Sequence, residues 1–123
     1  MCETRDEGRR WNLYVQDMIE FAEKVLSYTD GLDQAAFVAD GRTYDATLRN
    51  IQLIGEAATH IPSDAREAYP LIPWRAIIGA RNRLAHSYLH ISEVIIWSII
   101  QDAIPSMLPH LRKMLEDSRE ESS

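Results

Sequence analysis

Trp11, Val15, Met18, Ala22 and Val25 recur at alternating intervals of four and three, with Tyr14, Phe21 and Leu26 widening the stripe. That spacing predicts a core-facing helix over residues 9–28. Asp30-Gly31 then supplies turn chemistry, and Asp33 an N-cap for a short apolar piece, 35–39, broken by Asp40-Gly41. Tyr44, Leu48, Ile51, Ile54, Ala58 and Ile61 restart the pattern from Arg42, predicting a second long helix to about His60 that Pro62 stops. Gly55, with Ala57 and Ala58, gives this helix a thin face; a mid-helix Gly costs about 1 kcal/mol relative to Ala, which argues for a packing reason. Pro62-Ser63-Asp64 opens a short helix through Tyr69, and a further helix starts with Pro73 in its first turn. The last block, 92–115, has a cap at Ser92 and is apolar nearly all round between Val94 and Ile104, the pattern of a helix buried between neighbours; Pro105 and Pro109 are expected to kink or divide it.

With no strand alternation and no internal repeat, the expected fold is all-α, an up-and-down four-helix bundle with a short extra helix. One helical domain is expected over 1–115, and 116–123, reading Glu-Asp-Ser-Arg-Glu-Glu-Ser-Ser, is expected to be an acidic, flexible tail.

A chain of 123 residues leaves no room for a separate cofactor domain, and 46% hydrophobic with 26% charged residues is ordinary for a soluble globular protein. The lone Cys2 excludes an internal disulfide and a Cys-rich zinc site, so the cytoplasm is the default location. The N-terminus is charged where a signal peptide needs an apolar core, and the most apolar run, Val94–Ile100, is interrupted by Ser98. Neither approaches the roughly 18 to 20 apolar residues of a membrane span, so no membrane segment is expected. A net charge of −6 opposes a sequence-blind grip on a polyanion. Against that background, 71–90 carries Arg75, Arg81, Arg83, His86 and His90 with no Asp or Glu.

Within that acid-free stretch, Arg81-Asn82-Arg83-Leu84-Ala85-His86-Ser87-Tyr88 resembles the R-N-x-x-x-H-x-Y signature of the HepT-like toxins of the HEPN superfamily. The Arg42–Ala58 segment, including Ile54-Gly55-Glu56-Ala57, and the Pro73-Trp74-Arg75 opening are similar to the same family, so the resemblance covers most of the chain. It implies a HEPN-like bundle and a metal-independent endoribonuclease without cofactor. It also implies a homodimer whose active groups face each other across a two-fold axis, and a minimal, MNT-type nucleotidyltransferase antitoxin as partner. By position, the resemblance makes Arg81 and His86 catalytic with Asn82 beside them, and Tyr88 the acceptor of AMP from the antitoxin.

The residue chemistry agrees with an RNA substrate. RNA carries its own nucleophile, the 2′-hydroxyl, so cleavage needs a proton acceptor titrating near neutrality and a fixed cation for the phosphate; His and Arg are suited to these roles, and the product would be a 2′,3′-cyclic phosphate. An AMP on Tyr88 would place a bulky, negative group beside the cations. On an ideal helix Arg81 and His86 point about 140° apart, whereas Arg83 lies about 60° from His86. Spacing alone therefore favours Arg83, and the family signature favours Arg81, acting by wrapping inward or from a partner chain. Glu56 is a supporting candidate, an acid on a facing helix able to pair with Arg81 or Arg83.

Taken singly, Arg81 reads as a surface or salt-bridging arginine, His86 as a core histidine, Asn82 as a cap or bridge, and Tyr88 as a packing residue. His86 and His90, four apart, lack a clear third ligand, so no metal is assigned. His60, His90 and His110 read as structural or exposed, and Trp11, Trp74 and Trp97 as core or interface anchors. Two readings compete with the ribonuclease toxin: a non-catalytic helical interaction module, and a substrate-binding subunit of a nucleotidyltransferase acting on small molecules.

Overall fold

The computed structural model describes the backbone of residues 2–86 and 91–122, and the side chains of 11–86 and 91–120. In chain order the elements are α1 (Cys2–Thr29), α2 (Gln34–Ala39), α3 (Gly41–Thr59), α4 (Ser63–Glu67), α5 (Trp74–Ala85), α6 (Glu93–Ser98), a π turn (Ile99–Ala103) and α7 (Ile104–Ser122). No strand occurs among the described residues, so the chain is the all-α bundle its periodicity predicts. α1 begins well before residue 9, while α3 matches its expected span closely.

Local chemistry sets several of these boundaries. The Asp33 side chain accepts from the Ala36 N–H at 2.8 Å, and that of Asp40 accepts from the Thr43 N–H at 3.2 Å, each capping the helix that follows. Gly31, at φ 77°, makes the left-handed turn out of α1. Pro73 stands at the cap of α5, one position ahead of the helical Trp74. The Trp74 indole N–H is shared between the Arg66 and Tyr69 carbonyls at 3.1 and 3.0 Å, which ties the start of α5 to the end of α4.

Pro105 and Pro109 do not divide the last helix. The π turn lies directly before Pro105, and the Ile104 N–H reaches back five residues to the Ile99 carbonyl. A proline crowds the carbonyl four residues behind it and donates no hydrogen bond to it; the wider turn accommodates both effects. Pro109 sits inside α7 on its exposed side. The start of this helix also differs from expectation, since Val94 and Ile95 are exposed and Ile96 alone of that apolar triplet is buried. Residues 93–120 thus run as one helix that is long and apolar enough, by length and composition alone, to cross a membrane. Ile96, Ile100, Ile104, Met107, Leu111 and Met114 on it belong to the core.

α1 lies between α3 and α7, and α5 packs on the far side of α3. Val15, Met18, Ala22 and Val25 of α1 meet Ile51, Ile54 and Ala58 of α3 in the centre. Trp97 stacks at a tilt on the buried Phe37, 5.4 Å between centroids, as an anchor rather than an exposed platform. The acidic segment expected as a tail continues α7 instead. Ser118 is buried there, and the Asp117 carboxylate accepts from the Tyr69 hydroxyl at 2.6 Å and from Lys113 at 3.1 Å.

Candidate active site

The site is built where α5 crosses α3. Ile77 and Ala80 are the buried residues of α5, and Arg81, one turn beyond Ile77, continues the stripe that faces α3. Gly55 makes the close crossing possible. A Cβ at position 55 would overlap the Arg81 Cβ and stand 2.7 Å from the Ile77 carbonyl oxygen. The glycine therefore has the packing role its helix-propensity cost implies.

Close approach brings Arg81 against Glu56, the next residue on α3. Its Nε donates to Glu56 Oε2 at 2.7 Å and its Nη2 pairs with the same oxygen at 2.6 Å. On the other side, Nη1 donates to Asn82 Oδ1 at 2.8 Å. The arginine side chain is 31% exposed, held by two neighbours yet open to solvent. Glu56 thus pairs with Arg81 and not with Arg83.

Arg83 occupies a different surface. Two residues further on, about 200° around the helix, it lines a groove of about 650 Å3 between α5 and the α6–π segment, together with Arg75, Gly79, Ile91, Ile95 and Asp102. The preference for Arg83 drawn from spacing assumed a helix running through residue 86. α5 ends at Ala85, and His86 takes extended backbone (φ −106°, ψ 99°), its N–H donating to the Arg83 carbonyl at 3.3 Å. The helical angle no longer separates Arg81 from the histidine. The His86 side chain is exposed at the helix end. Tyr88 and His90 lie outside the described residues.

His60, expected to be structural or exposed, is half-exposed and borders this pair. Its Nε2 lies 3.8 Å from Glu56 Oε1, and its ring stacks on Tyr14 of α1 with centroids 4.6 Å apart and planes 13° from parallel. The spacing of four between Glu56 and His60 on one helix was the available signal. Among the described residues, no group of three or more His, Cys, Asp and Glu side chains is placed to hold a metal ion.

The ribonuclease HepT-like family matches residues 18–114, a span that contains the Gly55–Glu56 crossing, Arg81, Asn82 and His86. The chain belongs to the HepT-like family. Its relatives include a Methanocaldococcus jannaschii protein provisionally named as an RNase, 32% identical over 94 residues that cover 76% of this chain and 86% of the relative. A Thermococcus cleftensis protein provisionally named ribonuclease HepT is 31% identical over 101 residues, 82% of this chain and 92% of its own. No solved structure gives a significant match.

Proposed function

We propose that this HepT-like chain is a metal-independent endoribonuclease, the toxin of a toxin–antitoxin pair. The observation that carries the reading is the Arg81 guanidinium, fixed between Glu56 and Asn82 yet open to solvent, five residues ahead of an exposed His86 at a helix end. The ribonuclease names of the relatives support the same substrate. His86 accepts the proton of the RNA 2′-hydroxyl as its oxygen attacks phosphorus. Arg81 stabilises the charge gathered on the phosphate, with Asn82 orienting it. The bond to the 5′-oxygen breaks, that oxygen takes up a proton, and a 2′,3′-cyclic phosphate remains.

In the same reading the chain works in the cytoplasm as a homodimer. The dimer brings two acid-free segments together, which builds a local positive field within a protein of net charge −6 and supplies a second His86 to protonate the leaving oxygen. A nucleotidyltransferase antitoxin attaches AMP to Tyr88 and switches the site off by bulk and negative charge. The aliphatic groove beside Arg83, with Ile95 and Leu71 exposed, favours a second reading, the non-catalytic interaction module.

Induced expression of the parent chain beside His86→Ala, with total RNA analysed minutes later, tests the proposal. New fragments ending in 2′,3′-cyclic phosphate and growth arrest, both abolished in the variant, are expected. Intact RNA and normal growth with both chains would reject the nuclease and support the interaction module.

A further inference from the structure

An arginine guanidinium carries five N–H donors in one plane. In this chain Nε–H donates to Glu56 Oε2, Nη2 stands 2.6 Å from the same oxygen, and Nη1 donates one N–H to Asn82 Oδ1. At least one N–H remains on each of Nη1 and Nη2. Donors on these nitrogens can meet the oxygens of a phosphate.

We propose that Glu56 is a positioning residue for Arg81, gripping the guanidinium along its Nε edge so that its remaining N–H donors are held ready for the scissile phosphate. This deepens the nuclease reading and rests on it for the identity of the phosphate. Glu56 touches neither phosphate nor leaving group and acts through Arg81. Its own placement follows from the helix crossing: Gly55 brings α5 close enough for the pair to form. His60, stacked on Tyr14, stands 3.8 Å from the Glu56 oxygen that Arg81 does not use. The arrangement also explains how one arginine is singled out in a stretch holding three: Arg75 and Arg83 face the groove, away from this carboxylate.

The negative charge of Glu56 offsets that of Arg81 while RNA is absent, so Glu56 contributes order rather than attraction. Replacing it is expected to leave RNA affinity unchanged or slightly tighter while turnover falls, a split that a loss of fold would not produce. The test uses Glu56→Gln, which keeps the shape and removes the charge, and Glu56→Asp, which keeps the charge and shortens the reach. Turnover should fall about 10- to 100-fold in the first, the scale of a misplaced catalytic group, and less in the second. Binding of an RNA carrying a 2′-deoxy nucleotide at the cleavage position should stay within about threefold of the parent in both; that bound reflects a half-buried residue outside the phosphate contact.

The 15N signal of Arg81 Nε–H provides a readout independent of cleavage. It should exchange slowly with water in the parent and rapidly in Glu56→Gln. Unchanged exchange, or parental turnover in a folded Glu56→Gln, overturns the proposal. If the parent leaves RNA intact, the nuclease reading fails, and the exchange measurement still decides whether Glu56 holds Arg81.

Discussion

The two faces of α5 put the same residue types to different uses. Towards α3, a glycine admits the helix so closely that Arg81 meets a carboxylate and loses its freedom. Towards α6 and the π turn, the neighbouring glycine, Gly79, has nothing within 4 Å of where a Cβ would stand, and Arg75 and Arg83 line an open groove. Charge is present on both faces; preorganisation is present on one. A cation already fixed when the phosphate arrives stabilises a transition state more than one that must be ordered at that moment, because the ordering of a long side chain is an added cost.

The sharpest way to break the comparison is to remove one arginine at a time. Arg81→Ala should lower RNA turnover by about 100- to 1,000-fold, the effect of losing a charge-stabilising donor, and Arg81→Lys should restore little because an ammonium cannot present the planar fork. Arg83→Ala should change turnover by no more than a few fold and act on RNA affinity, with a shallower salt dependence of binding. Equal losses from both variants, measured by single-turnover cleavage, would erase the distinction between the faces.

The glycines give the next largest effect, with opposite signs. Gly55→Ala must push α5 away or displace Arg81, an overpacking expected to cost about 1–3 kcal/mol. Gly79→Ala meets open space in a helix and should stabilise by about 0.5–1 kcal/mol. Urea denaturation of both variants checks the pair, and a shift of the same sign in both would contradict the asymmetry.

A smaller effect is expected far from α5. The Tyr69 hydroxyl, and after it Lys113, hold the Asp117 carboxyl below the usual carboxylate range. A group depressed in the folded state stabilises above its unfolded pKa of about 3.9 and loses that contribution as pH falls through the folded value. Tyr69→Phe removes the larger cause, so its Tm should decline less steeply than the parent's between pH 5 and 3. Asp40, depressed by its bonds to Thr43, keeps some acid sensitivity in the variant. An unchanged slope would show that the Tyr69–Asp117 bond carries no linkage.

Periodicity made most of the fold legible. The stripes of α1 and α3, the cap at Asp33 and the break at Asp40-Gly41 follow from spacing and short-range hydrogen bonding, which are local properties; that Asp40 also caps α3 came only from the structure. The π turn was not legible, because proline chemistry shows that a helix must adjust without showing whether it breaks, bends or widens. The place of Asp117 was hidden for another reason: its partner Tyr69 is 48 residues away. At the site, residue types and the family signature pointed to Arg81, Asn82 and His86. The spacing that favoured Arg83 extends an ideal helix one residue past Ala85, where α5 stops. Glu56 was in view as a partner for either arginine, and the choice between them required the crossing at Gly55.

The most direct test of the central claim is incubation of the purified chain, in a chelator and without its antitoxin, with a defined RNA, followed by analysis of the fragment ends. The account predicts cleavage that survives the chelator, leaves 2′,3′-cyclic phosphate and disappears in Arg81→Ala and His86→Ala. RNA left intact by the parent, cleavage that needs a metal, or cleavage undiminished in both variants would contradict it.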